Sequence, residues 1–123
     1  ASLSFPALTT ISSGSSLMIS FNSDITNINL PILNTSFNLS INSNPSLISI
    51  GIPLLSIANN IDFKNNSLPS SQVNGILNKM VSASPFSRKN IQLSNQFPLA
   101  PPTGQGILDK TTLINAGNTV TTD

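Results

Sequence analysis

The side chains that usually carry out acid, base and nucleophilic catalysis are nearly absent from this sequence. Its 123 residues contain no His, Cys or Tyr, which removes the commonest general base and the thiolate nucleophile. Four carboxylates remain, and we interpret Asp109 as a helix cap and Asp123 as the chain end. The other two, Asp24 and Asp62, are far apart in the sequence and form no predicted hydrolytic pair. We therefore expect no enzyme, and no metal or other cofactor.

Carboxamides, by contrast, recur at a fixed place. Asn22, Asn44, Asn66 and Gln96 each stand three residues after the second apolar residue of a short strand pattern. A carboxamide both donates and accepts, so a column of them can bond the backbone groups that a turn exposes. We predict a structural ladder of Asn22, Asn44 and Asn66. The strand patterns that precede the amides are Leu17-Met18-Ile19, Leu39-Ser40-Ile41, Ile61-Asp62-Phe63 and Ile91-Gln92-Leu93.

The first three strand patterns begin at a constant interval, at positions 17, 39 and 61, and the fourth begins after a longer one, at position 91. A second apolar pattern has the same period, because Leu30-Pro31 recurs as Ile52-Pro53. An earlier copy, Phe5-Pro6, lies 25 residues before Leu30-Pro31, which is three more than the period of 22. We expect the three additional residues in the turn 12–16. One coil of about 22 residues cannot bury its own apolar side, so successive coils must stack with their strands parallel.

The pattern Leu-x-Ile-x-x-Asn at this period resembles the leucine-rich repeat, in a degenerate form. The first Leu of the repeat is replaced by Gly14, Ser36 and Ala58. The C-terminal part, from Leu68 through Ile91 to Thr121, is similar to a unit found in leucine-rich-repeat proteins of bacteriophages and bacteria. That unit usually has Trp before its final Thr-Val-Thr, whereas this chain has Asn118. The resemblance implies a repeat fold and a virion or bacterial-surface setting, without naming a ligand.

Two helices are predicted in the C-terminal part. Residues 73–81 carry a one-sided apolar stripe, with Ser70 as the expected N-cap. A shorter helix is expected to begin at Asp109, with a Leu108–Leu113 staple and Gly117 at its C-terminus. We predict an α/β leucine-rich-repeat-like solenoid of about four coils with a small helical C-terminal cap. Within this single domain, residues 1–66 form the repeat coils and residues 67–123 form the final repeat and capping unit.

Alternate residues of each strand point away from the core, so the predicted sheet presents rows of polar side chains. We call these residues the outer face and treat them as a candidate binding surface for a glycan, a host-surface receptor or another protein. The residues of the outer face are Met18, Ser20, Ser40, Asn42, Asp62, Lys64, Gln92 and Ser94.

The net charge of +1 is too small to direct binding to nucleic acid. Apolar runs are also far shorter than the roughly 20 residues that cross a bilayer. We predict no nucleic-acid partner and no membrane insertion.

Function is predicted from the repeat and its setting. We expect a structural or recognition module of a bacteriophage virion, either in a tail fibre or as a head-decoration protein. The alternative is a secreted or surface-displayed bacterial leucine-rich-repeat adhesin. Leu3, Phe5 and Leu8 appear at once, without a polar capping segment. We therefore expect this end to be covered by preceding chain, by other copies, or by other virion or surface proteins.

Overall fold

The computed structural model describes residues 1–123 and has an α/β fold, with nine strands and two helices. Every pair of neighbouring strands is parallel. The prediction of an α/β fold with short parallel strands and two helices is confirmed at this level. The elements are β1 (Ser2–Ser4), β2 (Thr10–Ile11), β3 (Leu17–Ser20), β4 (Asn27–Asn29), β5 (Thr35–Asn42), β6 (Ser49–Gly51), β7 (Ile57–Asp62), α1 (Ser70–Ser82), β8 (Asn90–Leu93), α2 (Gln105–Asn115) and β9 (Thr119–Thr122).

The strands form two sheets, and the chain crosses repeatedly between them. The smaller sheet has the order β1-β4-β6. The larger sheet has the order β2-β5-β7-β8-β9, with β3 also pairing with the long strand β5. Only the larger sheet was predicted. The smaller one is built on the second apolar pattern, in which Leu3, Ile28 and Ile50 lie side by side.

The strand register follows the spacing read from the sequence. Leu17 pairs with Leu39 and Leu39 with Ile61, while Ile61 pairs with Ile91 because α1 lengthens the connection. Strand β2 pairs with β5 at an offset three positions longer than the offset between β3 and β5. The three additional residues therefore lie in the turn 12–16, as predicted.

Apolar side chains from both sheets, both helices and their connections form one core of 24 buried residues. Its central members, such as Leu39, Ile41 and Ile61, are at most 1% exposed. Close packing of this kind is what lets each short strand persist, because a single strand buries too little surface alone. Most of the apolar residues that pack against this core but stay partly exposed belong to the first strands and their turns: Leu3, Phe5, Leu8, Leu17 and Ile25.

Helix α1 follows β7 and buries four residues of its predicted stripe, Val73, Ile76, Leu77 and Met80. Val81, the fifth, is exposed. The predicted N-cap is wrong. Pro69 precedes the first turn and no side chain caps it, since the Ser70 hydroxyl donates instead to the Pro101 carbonyl at 2.7 Å.

The N-cap residue of helix α2 is Gly104 at φ 50°, five residues before the predicted cap Asp109. Asp109 is therefore not its cap but a buried residue inside it, where it accepts from Gln105 Nε2 at 3.0 Å and Asn78 Nδ2 at 3.3 Å. Leu108 is exposed and forms no staple. Gly117, at φ 94°, does end the helix: its N–H bonds Ile114 O and that of the next residue bonds Leu113 O.

One buried polar atom has no hydrogen-bond partner, the hydroxyl oxygen of Ser36. Ser36 lies on the core side of β5, with Ile11 and Ala58 as its register neighbours. A buried hydroxyl without a partner keeps its desolvation cost and gains nothing in return.

We expect Ser36→Ala to raise the free energy of unfolding by about 1 kcal/mol, measured by urea denaturation. Ser40→Ala, in the same strand but on the solvent side, is the matched control and should change it by less than about 0.5 kcal/mol. A destabilised Ser36→Ala protein would show that the hydroxyl contributes to the core.

Candidate functional site

The three predicted ladder residues lie one above another where the chain leaves the larger sheet. Asn44 Oδ1 accepts from the Asn22 N–H at 3.1 Å, and Asn66 Oδ1 accepts from the Asn44 N–H at 3.0 Å. Asn44 Nδ2 donates to the carbonyls of Ile19 and Asn42. The side-chain oxygens of Asn44 and Asn66 thus accept from a backbone N–H of the preceding repeat, and their nitrogens donate to backbone carbonyls. Both residues are fully buried.

Two further residues continue this arrangement into the C-terminal part. Gln96 is buried, and its side chain accepts from the Leu68 N–H and donates to Phe63 O and Leu93 O. Asp123 accepts from the backbone N–H groups of Asn95, Gln96 and Ala100. Interpreting Asp123 only as the chain end was incomplete. Its carboxylate accepts without donating, so it satisfies N–H groups but, unlike Asn44 Nδ2, supplies no donor to a carbonyl of the preceding repeat.

The residue before each amide has a left-handed backbone, which the sequence analysis missed. Phe21, Ser43, Asn65 and Asn95 have φ values of 56–60°. This turn directs the amide side chain inward immediately after a strand. The available signal was the Asn at two of these positions, since Asn tolerates this region better than most residues.

We expect Asn44→Ala to lower the free energy of unfolding by about 1–3 kcal/mol, because it leaves the Asn22 N–H and the Ile19 carbonyl without partners. Asn42→Ala, two residues away on the outer face, should cost less than about 0.5 kcal/mol. Chemical denaturation of both variants measures this difference. Equal losses would contradict the structural role assigned to the ladder.

The outer face forms two rows across the larger sheet. Met18, Ser40, Asp62 and Gln92 are register partners in consecutive strands, and Ser20 pairs with Asn42. The structure therefore brings six of the eight predicted residues together by strand pairing. Of the other two, Lys64 lies two residues after the end of β7, and Ser94 directly follows β8.

Asp62 is the centre of the polar contacts on this face. Its carboxylate accepts from Asn42 Nδ2 at 3.0 Å and from the Lys64 N–H at 3.3 Å. The Lys64 ammonium lies 3.7 Å away, in the one salt bridge of the structure. With both side chains partly exposed, this pair contributes less than about 1 kcal/mol. The contacts fix the orientation of three side chains and leave them open to a ligand.

A shallow depression of about 270 Å³ lies on the outer face. A second row of amides, in which Asn38, Asn60 and Asn90 are register partners, borders it. Asn60 Nδ2 donates to Asn38 Oδ1 at 3.0 Å, and Gln92 Nε2 donates to Asn90 Oδ1 at 3.1 Å. Closely spaced amide and hydroxyl groups present many directional donors and acceptors. The Ser40 hydroxyl in this lining accepts from Asn42 Nδ2 at 2.7 Å.

Lys89 is the one buried cation. Its side chain is 2% exposed and its ammonium donates to the carbonyls of Ala83 and Pro85. Asn118, the residue found in place of Trp, holds the same segment: it accepts from the Lys89 N–H at 2.9 Å and donates to Leu113 O and Phe86 O. Burial lowers the pKa of Lys89 below its ordinary value.

Because the pKa of Lys89 is lower in the folded than in the unfolded chain, the unfolded chain binds more protons between the two values. Stability should therefore rise as pH increases through the folded pKa and level off above the unfolded one. Lys89→Met should abolish this rise, whereas Lys64→Met at the surface should retain it. Urea denaturation from neutral pH to pH 11 tests this, and no Tyr or Cys titrates in the same range. The same slope in Lys89→Met would assign the rise to another group.

Comparison with known proteins identifies no relative of this chain. The chain matches no protein-family model, and no curated protein or solved structure is significantly similar to it. No helix has the length and apolar character needed to cross a membrane. No group of three or more carboxylate, His or Cys side chains is arranged to hold a metal ion.

Proposed function

We propose that this chain is a leucine-rich-repeat-like β-solenoid that serves as a non-enzymatic structural and recognition module. The supporting observation is that both parallel sheets pair residues 22 positions apart in the sequence. Buried amides at equivalent turns bond each repeat to the next. Before α1, the first repeat supplies β1 to the smaller sheet and both β2 and β3 to the larger one, and the second and third repeats supply one strand to each sheet. The two helices then form the C-terminal capping unit of the solenoid.

The setting that we propose is a bacteriophage virion, as a tail-fibre or head-decoration component. Its support is the resemblance of the C-terminal unit together with the sparse charge. Residues 1–61 carry a single charged side chain, Asp24, so neighbouring subunits meet little electrostatic repulsion. A secreted or surface-displayed bacterial adhesin remains the alternative, because the same repeat occurs in both settings.

The outer face is the proposed recognition surface, and a glycan or host-surface receptor is the proposed ligand. Sugar polymers are recognised through many hydrogen bonds with hydroxyl groups, and the rows around Asp62 supply amides, hydroxyls and one carboxylate at strand spacing. Partner subunits are proposed to bind elsewhere, at the end of the stack that β1 and β3 form.

Glycan binding is tested on an array of bacterial surface polysaccharides. Asn60→Ala and Gln92→Ala remove exposed donors whose bonds go only to other side chains on the same side of the sheet. We expect each to weaken binding about tenfold, or about 1.4 kcal/mol. Ser49→Ala, on the outward side of the smaller sheet, is the control and should bind normally. Equal losses in all three variants, or no binding by the unmodified chain, would contradict this role for the outer face.

The setting is tested with an antiserum against the purified chain. Density-gradient-purified phage particles from the source culture and the envelope fraction of uninfected host cells are probed in parallel. We expect the chain in the particles. Its presence only in the envelope fraction would favour the adhesin.

A further inference from the structure

The smaller sheet ends at β6 because helix α1 lies where a further strand would pair. Strand β6 has one strand neighbour, β4. On its other side, the Ile50 N–H donates to Gln72 Oε1 at 3.2 Å, and the Lys79 ammonium donates to the Pro53 carbonyl at 2.7 Å. Both contacts come from side chains of α1, since the backbone groups of a helix bond one another. A groove therefore remains between β6 and α1.

This groove has a volume of about 350 Å³. Gln72 lies at one end and Lys79 at the other. The length of the groove is about 10 Å along either wall, measured as strand from Ile50 to Pro53 or as helix from Gln72 to Lys79. It accommodates about three residues of an extended peptide. The buried apolar residues of the lining are Ile50, Ile52 and Ile76.

The middle of α1 contributes no side chain to the groove. Gly75 lines it, and a Cβ at that position would meet no atom within 4 Å. Glycine in a helix interior costs about 1 kcal/mol relative to alanine, and alanine would fit here. A larger side chain would fill the groove. Gly75 thus keeps the groove open at a cost to the helix.

Two backbone groups at the edge of β6 face this groove. The N–H and C=O of one strand residue point to the same side, so the Ile50 carbonyl faces α1 together with the Ile50 N–H. Two residues on, the Ile52 N–H faces the same way, and it has no hydrogen-bond partner although Ile52 is only 6% exposed. The corresponding N–H of the preceding repeat, that of Leu30, bonds Gly51 O. The edge of β6 therefore lacks the backbone partner that β4 has.

These two groups select an extended peptide as the ligand. In parallel pairing, one residue of the added strand donates to the carbonyl before the residue opposite it and accepts from the N–H after that residue. The Ile50 carbonyl and the Ile52 N–H form such a pair for a residue opposite Gly51. An isolated amide, such as the acetamido group of a sugar, has its N–H and C=O on opposite sides of a planar bond. It cannot bond both groups at once.

The edge also distinguishes the direction of the peptide. Antiparallel pairing engages the N–H and C=O of the same residue together. At this edge the Ile50 N–H is bonded to Gln72, and the Ile52 carbonyl accepts from the Leu55 N–H at 3.3 Å. A parallel peptide needs neither of these groups, and it continues the direction of β1, β4 and β6.

The charge at one end of the groove matches the end of a peptide. A strand parallel to β6 has its C-terminus near Pro53, where the Lys79 ammonium lies. This ammonium has three donors and gives one of them to the Pro53 carbonyl. It forms no salt bridge, since the one salt bridge of the structure joins Lys64 and Asp62. A terminal carboxylate would supply the missing countercharge.

We infer that this groove binds the last three residues of a partner protein in extended conformation, as a fourth parallel strand of the smaller sheet. The middle residue bonds the Ile50 carbonyl and the Ile52 N–H, and the terminal carboxylate binds Lys79. The first and third side chains point to the same side of the sheet as those of Ile50 and Ile52, so apolar residues are favoured there. The site shares no residue with the outer face and requires neither glycan binding nor the virion setting.

Fluorescence polarisation with a peptide library tests the groove. Each probe is fluorescein-Gly-Ser-Gly-Ser followed by three varied residues and a free C-terminal carboxylate. The first and third varied residues are Val, Leu, Ile, Phe or Ala, and the second is any residue except Pro. We expect a subset of these peptides to bind with micromolar Kd. Amidation of the carboxylate and N-methylation of the middle residue should each weaken binding by about tenfold or more, because each removes one inferred bond.

Variants of the protein test the same contacts. Gly75→Leu should weaken binding by about tenfold or more because its side chain fills the groove, while the midpoint of urea denaturation stays equal or rises. Ser82→Leu, at the exposed last residue of α1, is the matched control and should bind normally. Lys79→Met should weaken binding of the carboxylate peptide and leave that of the amidated peptide unchanged. Lys110→Met, a cation of α2, should affect neither.

The absence of binding by every probe up to about 1 mM would overturn the inference. Equal affinity of the N-methylated or amidated peptide would also overturn it, as would unchanged binding by Gly75→Leu. Equal losses in Gly75→Leu and Ser82→Leu would place the peptide outside the groove. Peptide binding that persists in Asn60→Ala and Gln92→Ala would separate this site from the outer face, so failure of the glycan test and failure of the peptide test are distinguishable.

Discussion

The hydrogen bonds that the buried amides make between repeats are the interaction on which the rest of the structure depends. Strands of three or four residues, such as β3 and β4, make few ladder bonds and must be followed by tight turns. Those turns leave backbone N–H and C=O groups inside the protein, where each unpaired group carries a large desolvation cost. Asn44 and Asn66 satisfy these groups on both sides of the turn, and so permit the next strand to begin in register.

The same requirement explains the composition. The inward positions of the strands are aliphatic, and the turn positions need small polar side chains that bond the backbone locally. Few positions are then left for charge, and most of the charged residues fall in the C-terminal part, between Asp62 and Asp123. Two of the charged groups bind the backbone: the Lys89 ammonium binds two carbonyls and the Asp123 carboxylate binds three N–H groups. The buried Asp109 carboxylate instead accepts from the side chains of Asn78 and Gln105.

Differences between repeats are as informative as their similarities. The interior repeats present polar residues on the outer face and small residues at the left-handed turn, which is compatible with solvent or with a hydrophilic ligand. The first repeat presents the exposed apolar residues Met18 and Phe21 at the corresponding positions.

Local patterns in the sequence determined much of this protein, whereas features that depend on contacts between distant residues were decided only by the tertiary structure. The constant repeat period predicted the register of β3, β5 and β7, and the longer offset of the first copy placed the insertion in the turn 12–16, because parallel pairing preserves spacing along the chain. The smaller sheet was missed because a strand of three residues is too short to show the alternation of apolar and polar residues that is typical of a strand. Such a strand is stable only when it pairs with a neighbour. Asp109 looked like a helix cap, but packing of α1 against α2 made it a buried acceptor for Asn78. The exposure of Met18 was predicted from strand alternation, whereas that of Phe21, at the left-handed turn after β3, was not.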